Sequence, residues 1–347
     1  MKANVLHGIG DLRYEEVADP VMKAQEVLVK VRACGICGSD IPRVFVNGTY
    51  HFPTIIGHEF SGEVVDTFSE EDKTLIGKRV SIYPLMPCHH CDNCKEGKYE
   101  MCSHYNYFGS RCDGGFAEYV SVPKENLCFI PDGISFEEAA MLEPTAVAMH
   151  ALKRSGMQVG DTVAIFGPGT IGMILAQMAR IAGASKVILI GRSQVKLDFA
   201  QKHIGVEYIC NSTTTDVNEY IQQLTDGRGV DVAFEGAGAS STMNSCLDVV
   251  KASGTILAMG NPHDDMLLAK TAYWKLLRKQ LKIIGTWNSS FGLKRNDWDD
   301  VFVLLKNKQL NLSDLITHRL SLEELNKGLE IMRTGSEYFN KVMVINK

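Results

Sequence analysis

The 347-residue chain has no uncharged apolar run approaching eighteen residues. Its opening stretch, MKANVLHGIGDLRYEE, has no apolar signal core. The first absence argues against a transmembrane helix and the second against a secretory leader, so a cytoplasmic protein without a membrane partner is expected. A basic excess is missing too: 36 Lys and Arg stand against 41 Asp and Glu, a net charge of −5. Such a surface has little to displace counterions from phosphates, so no nucleic-acid partner is expected. No internal repeat and no low-complexity tract interrupts the chain. What is present is ordinary for a globular protein, with 45% hydrophobic residues and 31 glycines, and the length favours two domains over one core. In a reducing compartment, the ten cysteines read as metal ligands or plain thiols before disulfides.

One stretch, CGICGSDIPRVFVNGTYHFPTIIGHEFSG over residues 34–62, holds Cys37, His58 and Glu59 in short glycine-flanked turns. Thiolate and imidazole suit a borderline-soft cation such as zinc, and a catalytic zinc keeps one exchangeable position beside three protein ligands. The competing reading is a buried apolar cysteine and a hydrogen-bonded core histidine. Around this stretch, VLVKVRA, EVVDTF and KRVSIYP alternate with period two, so residues 1 to about 125 read as mostly β.

Residues 88–102, CHHCDNCKEGKYEMC, place Cys88, Cys91, Cys94 and Cys102 in a C-x2-C-x2-C-x7-C array. Four thiolates within fifteen residues make a closed tetrahedral set, which predicts a structural zinc with no open position; an iron–sulfur cluster is the rival reading. His89 and His90 read as solvent-facing neighbours. Further on, FEEAAMLEPTAVAMHALKRSG turns helical and sets Glu143 in an apolar run just before Pro144. A buried carboxylate there needs a partner or a metal, unless it simply ends a helix.

The dinucleotide signal follows. TVAIFG reads as a buried strand, GPGTIG brings Gly167, Gly169, Thr170, Ile171 and Gly172, and MILAQMARIAGA reads as a helix before the strand KVILIG. The glycines suit a tight turn, close approach to a pyrophosphate and helix–strand packing. Alternation continues through VDVAFEGAG, GTILAMG and LKIIGTW, with Gly236 and Gly260 closing two more turns, so a doubly wound parallel sheet is expected. Where an NAD-binding chain places an acid, this one has Gly191, Arg192 and Ser193, with Lys196 one helical turn on. Donors in place of a carboxylate favour the 2'-phosphate of NADP, with NAD as the alternative.

With these residues placed, GICGSD, GHEFSG, the four-cysteine lobe, DGGFAEY, LEPTAVAMHA and GPGTIG together resemble the zinc-containing medium-chain dehydrogenases over essentially the full length. Glu143 in place of a third zinc cysteine resembles their polyol dehydrogenase branch, and CGSDIPRVFVNG and FGSRCDGGFAEY its members acting on polyol phosphates such as galactitol 1-phosphate. The resemblance implies a GroES-like, β-rich catalytic domain over 1–149 and 286–347 and a Rossmann domain over 150–285, with substrate in a cleft between them. It implies a catalytic zinc on Cys37, His58 and Glu143, with Glu59 as an alternate or supporting ligand. Ser39 is implied to bond the substrate hydroxyl and pass its proton on. The relay histidine of many relatives is Pro42 here, and the acid of their nucleotide site is Gly191. The expected reaction is reversible hydride transfer between a polyol or its ketose and NAD(P), in a homodimer or homotetramer. Arg43 and Arg111 are candidate phosphate contacts, with Lys294 and Arg295 as a third, and Trp287 and Asn288 are candidates to cover the sugar.

Overall fold

The computed structural model describes residues 1–262, 264–292 and 296–346. Lys294 and Arg295 lie outside the described residues. The chain divides into two compact units, Met1–Pro144 with Ser290–Lys347, and Thr145–Ser289.

In the first unit the period-two segments form strands around one spine, Glu26–Gly35. Val27, Val29 and Val31 are fully buried and their neighbours point away, as alternation across a pleat requires. One edge of the spine pairs along its length with Glu59–Thr67. The other edge is shared: Tyr119–Pro123 takes its first half and Lys341–Ile345 its last residues. Arg79–Ile82, Leu127–Phe129 and Ile316–Leu320 complete a seven-stranded sheet. Its core joins Val29, Phe60, Val64, Val80, Phe116 and Val342. The C-terminal segment therefore builds part of the same sheet as the N-terminal one, after the helices Asp297–Lys306 and Leu325–Thr334.

Register decides what meets at the end of the spine. Gly35 lies opposite Glu59 on one side and opposite Met343 on the other. Three chain segments far apart in sequence thus converge beside Cys37. The helix Leu142–Ser155 carries Glu143 and Pro144 in its first turn, where a missing N–H leaves no bond unmade.

The second unit is a six-stranded parallel sheet in the order Tyr208–Asn211, Lys186–Gly191, Thr162–Phe166, Val230–Glu235, Val250–Ala258, Lys282–Gly285. Every residue of Thr162–Phe166 is buried, as expected of a strand covered on both faces. The following helix, Thr170–Ile181, begins three residues earlier than MILAQ suggested, because Thr170 and Ile171 already form its first turn. Strand order reverses between Thr162–Phe166 and Val230–Glu235, the switch point where such sheets open a crevice at their carboxyl ends. Among the described residues no helix is long and apolar enough to cross a membrane.

Candidate metal centres and dinucleotide cradle

Cys37, His58 and Glu59 offer a sulfur, a nitrogen and an oxygen within 4.8 Å of one another. Cys37 lies just past the spine strand and Glu59 opens its neighbour. Glycine at 35 leaves room for the Glu59 carboxylate, whose Oε2 a Cβ there would overlap. Asp40, fully buried, ties the turn together. It accepts from the Cys37 amide (2.9 Å) and from Arg43 Nη1 (2.9 Å), and its carboxylate lies 3.6 Å from His58 Nδ1. Burial opposes its charge, but His58 and Arg43 hold its carboxyl below the usual range. Orienting the imidazole from Nδ1 leaves Nε2 for a cation.

The two glutamates differ. Glu59 is paired with the buried ammonium of Lys341, which also donates to the Ile36 carbonyl (3.1 Å). Glu143 stands outside the three-atom donor set and accepts from the Tyr107 hydroxyl at 3.3 Å. The Tyr107 ring lies 5.6 Å from that of His58. Burial, aided by Glu59, pushes the Glu143 carboxyl up to about 7 against the pull of His58 and Lys341. It is a buried acid with no full counter-ion of its own. Ser39 Oγ accepts from Arg43 Nη1 (3.0 Å), so one lone pair and its own proton are left for another partner.

The two candidate arginines separate clearly. Arg43 is committed to Asp40 and Ser39. Arg111 has no carboxylate partner among the described residues. Its guanidinium lies over the rings of Tyr50 (4.0 Å) and Tyr105 (4.6 Å), and its buried Nε–H has no acceptor among the described residues. Tyr105 packs edge-on against Tyr107, 6.2 Å between ring centroids, so an aromatic row connects Arg111 to His58 and Glu143. Trp287 (half exposed) and Asn288 follow the strand Lys282–Gly285 in the second unit; the Asn288 backbone is left-handed (φ 51°) and its buried Nδ2 has no partner among the described residues.

The four-cysteine lobe brings Cys88, Cys91, Cys94 and Cys102 within 4.8 Å of one another. The sulfurs of Cys88 and Cys94 are 4.0 Å apart, those of Cys91 and Cys102 3.9 Å. A zinc–sulfur length of about 2.3 Å implies tetrahedral edges of about 3.8 Å, so this set fits the ion. Amides of Ser103 and Cys94 draw the Cys91 thiol down to about 6, while burial pushes Cys94 up to about 12. Four thiolates this close repel one another, and a bound cation would offset that repulsion. His89 and His90 are exposed; His89 contacts Glu125 and His90 the Cys88 carbonyl.

In the second unit, Gly167 adopts φ 114°, closed to most side chains, and lies against Gly236 at the switch point. A Cβ on Gly172 would overlap the Gly167 carbonyl, whereas one on Gly169 would meet nothing of the protein. That open space lies at the start of the helix Thr170–Ile181, the place where this kind of turn receives a pyrophosphate. Gly260 packs against Gly238 in the next turn. Buried Glu235 holds this loop, accepting from the amides of Ala237 (3.0 Å) and Gly238 (2.9 Å) and the Thr242 hydroxyl (2.7 Å). Gly191 ends its strand, Arg192 is exposed, and Ser193 caps the helix Gln194–Phe199 by accepting from the Lys196 amide (3.5 Å).

Residues 23–132 match the model of the alcohol dehydrogenase GroES-like domain and residues 170–307 that of the zinc-binding dehydrogenases. The chain belongs to the zinc-binding dehydrogenase family. Galactitol 1-phosphate 5-dehydrogenase of Escherichia coli (strain K12) is 36% identical over 93% of this chain and 94% of its own. A crystal structure of galactitol-1-phosphate dehydrogenase from Escherichia coli matches with a TM-score of 0.93 at 34% identity, covering 100% of both chains. Sorbitol dehydrogenase of Bacillus subtilis (strain 168) is 32% identical over 99% of this chain and 97% of its own. A Sinorhizobium meliloti 1021 structure described as a zinc-binding dehydrogenase bound to NADP matches with a TM-score of 0.91 at 30% identity, covering 99% of each chain.

For a zinc-binding dehydrogenase, the parts the sequence did not single out include Asp40, Lys341, Tyr50, Tyr105, Tyr107, Pro168 and Glu235. Lys341 reaches Glu59 across 282 positions of sequence, so nothing local marks it. Pro168 stands in full view inside GPGTIG.

Proposed function

We propose that this dehydrogenase interconverts a polyol phosphate and its ketose phosphate, with NADP(H) as the hydride carrier, and that it holds two zinc ions of unequal role. The observation that supports the phosphate reading is Arg111, without a carboxylate partner among the described residues and stacked over Tyr50 and Tyr105, at the far end of the aromatic row from His58. A planar guanidinium stacked on aromatic rings keeps its N–H edge for a bidentate partner, which suits a phosphate. The relatives named for galactitol 1-phosphate point the same way.

Cys37, His58 and Glu143 are assigned to the catalytic zinc and Cys88, Cys91, Cys94 and Cys102 to the structural one. Glu59 is placed behind the first site, its charge shared with Lys341. When bound, the catalytic zinc supplies a Lewis acid that lowers the pKa of an alcohol oxygen, and NADP supplies the hydride acceptor. Ser39, anchored by Arg43, accepts the substrate hydroxyl proton with its remaining lone pair and passes on its own. Asp40 fixes the tautomer and orientation of His58. Gly167, Gly169, Thr170, Ile171 and Gly172 hold the pyrophosphate, and Gly236 and Gly260 line the switch point. Arg192, Ser193 and Lys196 meet the 2'-phosphate of the adenosine ribose. The chain acts as a homodimer or homotetramer, through the edge strand Lys282–Gly285.

The test is a panel of free and phosphorylated polyols and ketoses with each nucleotide, on the unmodified enzyme and on Arg111→Ala. Loss of one charge-assisted phosphate contact is expected to raise KM for the phosphorylated substrate by about tenfold to a hundredfold, and to leave KM for the free polyol nearly unchanged. Equal kcat/KM for free and phosphorylated polyols in the unmodified enzyme overturns the phosphate assignment and leaves a polyol dehydrogenase of the sorbitol type.

A further inference from the structure

Gly191 sits at the carboxyl end of the strand Lys186–Gly191, where a carboxylate would recognise a ribose lacking the 2'-phosphate. Its amide neighbour in the first turn is fixed: the Gly167 amide donates to the Ile190 carbonyl (2.9 Å). The next residue, Pro168, lays its ring across position 191. A Cβ on residue 191 would overlap both Cγ and Cδ of Pro168, whereas Pro168 Cβ would stand at an ordinary 3.5 Å. The pyrrolidine ring is bonded back to the main chain and has no rotamer to escape into. Nor is the turn free to shift as a whole, because Gly172 packs on the Gly167 carbonyl and Gly236 on the Phe166 carbonyl (a Cβ there would be at 3.0 Å).

We infer that Pro168 and Gly191 are an interlocked pair that sets nucleotide specificity by volume. The proline ring occupies the room that the Cβ of an NAD-type acid needs, so the site excludes that acid while Pro168 is present. The inference rests on the NADP reading above and adds a residue that charge alone does not implicate. An Asp at 191 is then expected to fail as a specificity switch by itself, pushing the turn out of place and disturbing the pyrophosphate cradle for either nucleotide. Removing Cγ and Cδ with Pro168→Ala restores an ordinary contact and lets the same Asp work.

The experiment is a double-mutant cycle on the full-length zinc-loaded protein: unmodified, Pro168→Ala, Gly191→Asp and both together. Two readouts are taken, the melting temperature without nucleotide and the Kd for NADPH and NADH by fluorescence titration. Gly191→Asp alone is expected to lower Tm by roughly 2–10 °C, the range for forcing extra atoms into a packed site, and to weaken both nucleotides. The double variant is expected to regain the Tm of Pro168→Ala. It should bind NADH about tenfold or more tighter than Gly191→Asp does, and NADPH more weakly than the unmodified protein does. Additive effects, with Gly191→Asp as stable as the unmodified protein and binding NADH as tightly as the double variant, overturn the interlock. An unmodified protein that prefers NADH contradicts the NADP reading instead, and the Tm cycle still decides the packing claim.

Discussion

Glu143 and Glu59 are two buried carboxylates near one imidazole, and their partners give them different work. Glu59 has a lysine; Glu143 has a tyrosine hydroxyl and a pKa of about 7. That value is raised from 4.5, so in the metal-free protein its stabilising contribution is complete below about pH 4.5 and is lost as pH rises through about 7. Zinc needs the carboxylate, so zinc affinity has the opposite trend, weakening as pH falls through about 7 and releasing a proton on binding. Calorimetric zinc titration of the metal-free protein at pH 6 and pH 8 is expected to show this. Glu143→Gln should lose its share of the proton release and bind the catalytic zinc at least about tenfold more weakly, while Glu59→Gln keeps the pH dependence. The reverse pattern would make Glu59 the ligand. At this scale the sequence was informative where chemistry is carried by residue type and short spacing, as in Cys37, His58 and the four cysteines. It was silent on Lys341 and Tyr107, whose roles come from strand register and a ring contact.

Elements were legible where periodicity and punctuation agree: GPGTIG between a buried strand and a helix, and alternating valines in the spine strand. The pairing of Gly35 with both Glu59–Thr67 and Lys341–Ile345 was not, because no sequence pattern records which edges meet. Lys282–Gly285 is one of the two edge strands of the parallel sheet, opposite Tyr208–Asn211. Among the described residues Lys282–Gly285 pairs only with Val250–Ala258, and Ile283 on it and Trp274 and Leu277 on the helix Lys270–Arg278 are exposed. An open edge beside apolar side chains invites a second copy to add its own strand. Sedimentation velocity is expected to find a dimer or tetramer, and Ile283→Lys, which sets a charge on each of two facing strands, should shift it towards monomer at micromolar concentration. A monomeric unmodified protein would remove the edge-pairing proposal.

On the scale of the whole molecule, the chain has two separate cysteine-bearing clusters with donor sets that suit a metal ion, and among the described residues only the Cys37 cluster lies beside groups suited to a substrate proton. The four sulfurs form a closed set at tetrahedral spacing. The Cys37 site adds Ser39, Arg43, Asp40 and the row to Arg111, none of which a purely structural ion requires. The direct test is metal stoichiometry against activity and stability in three proteins: unmodified, Cys37→Ser and Cys94→Ser. The account predicts two zinc ions per chain in fully active enzyme. Cys37→Ser should hold one zinc, keep a near-native Tm and lose turnover; Cys94→Ser should lose stability or solubility first. Full activity with a single zinc per chain, or turnover surviving in Cys37→Ser, would contradict it.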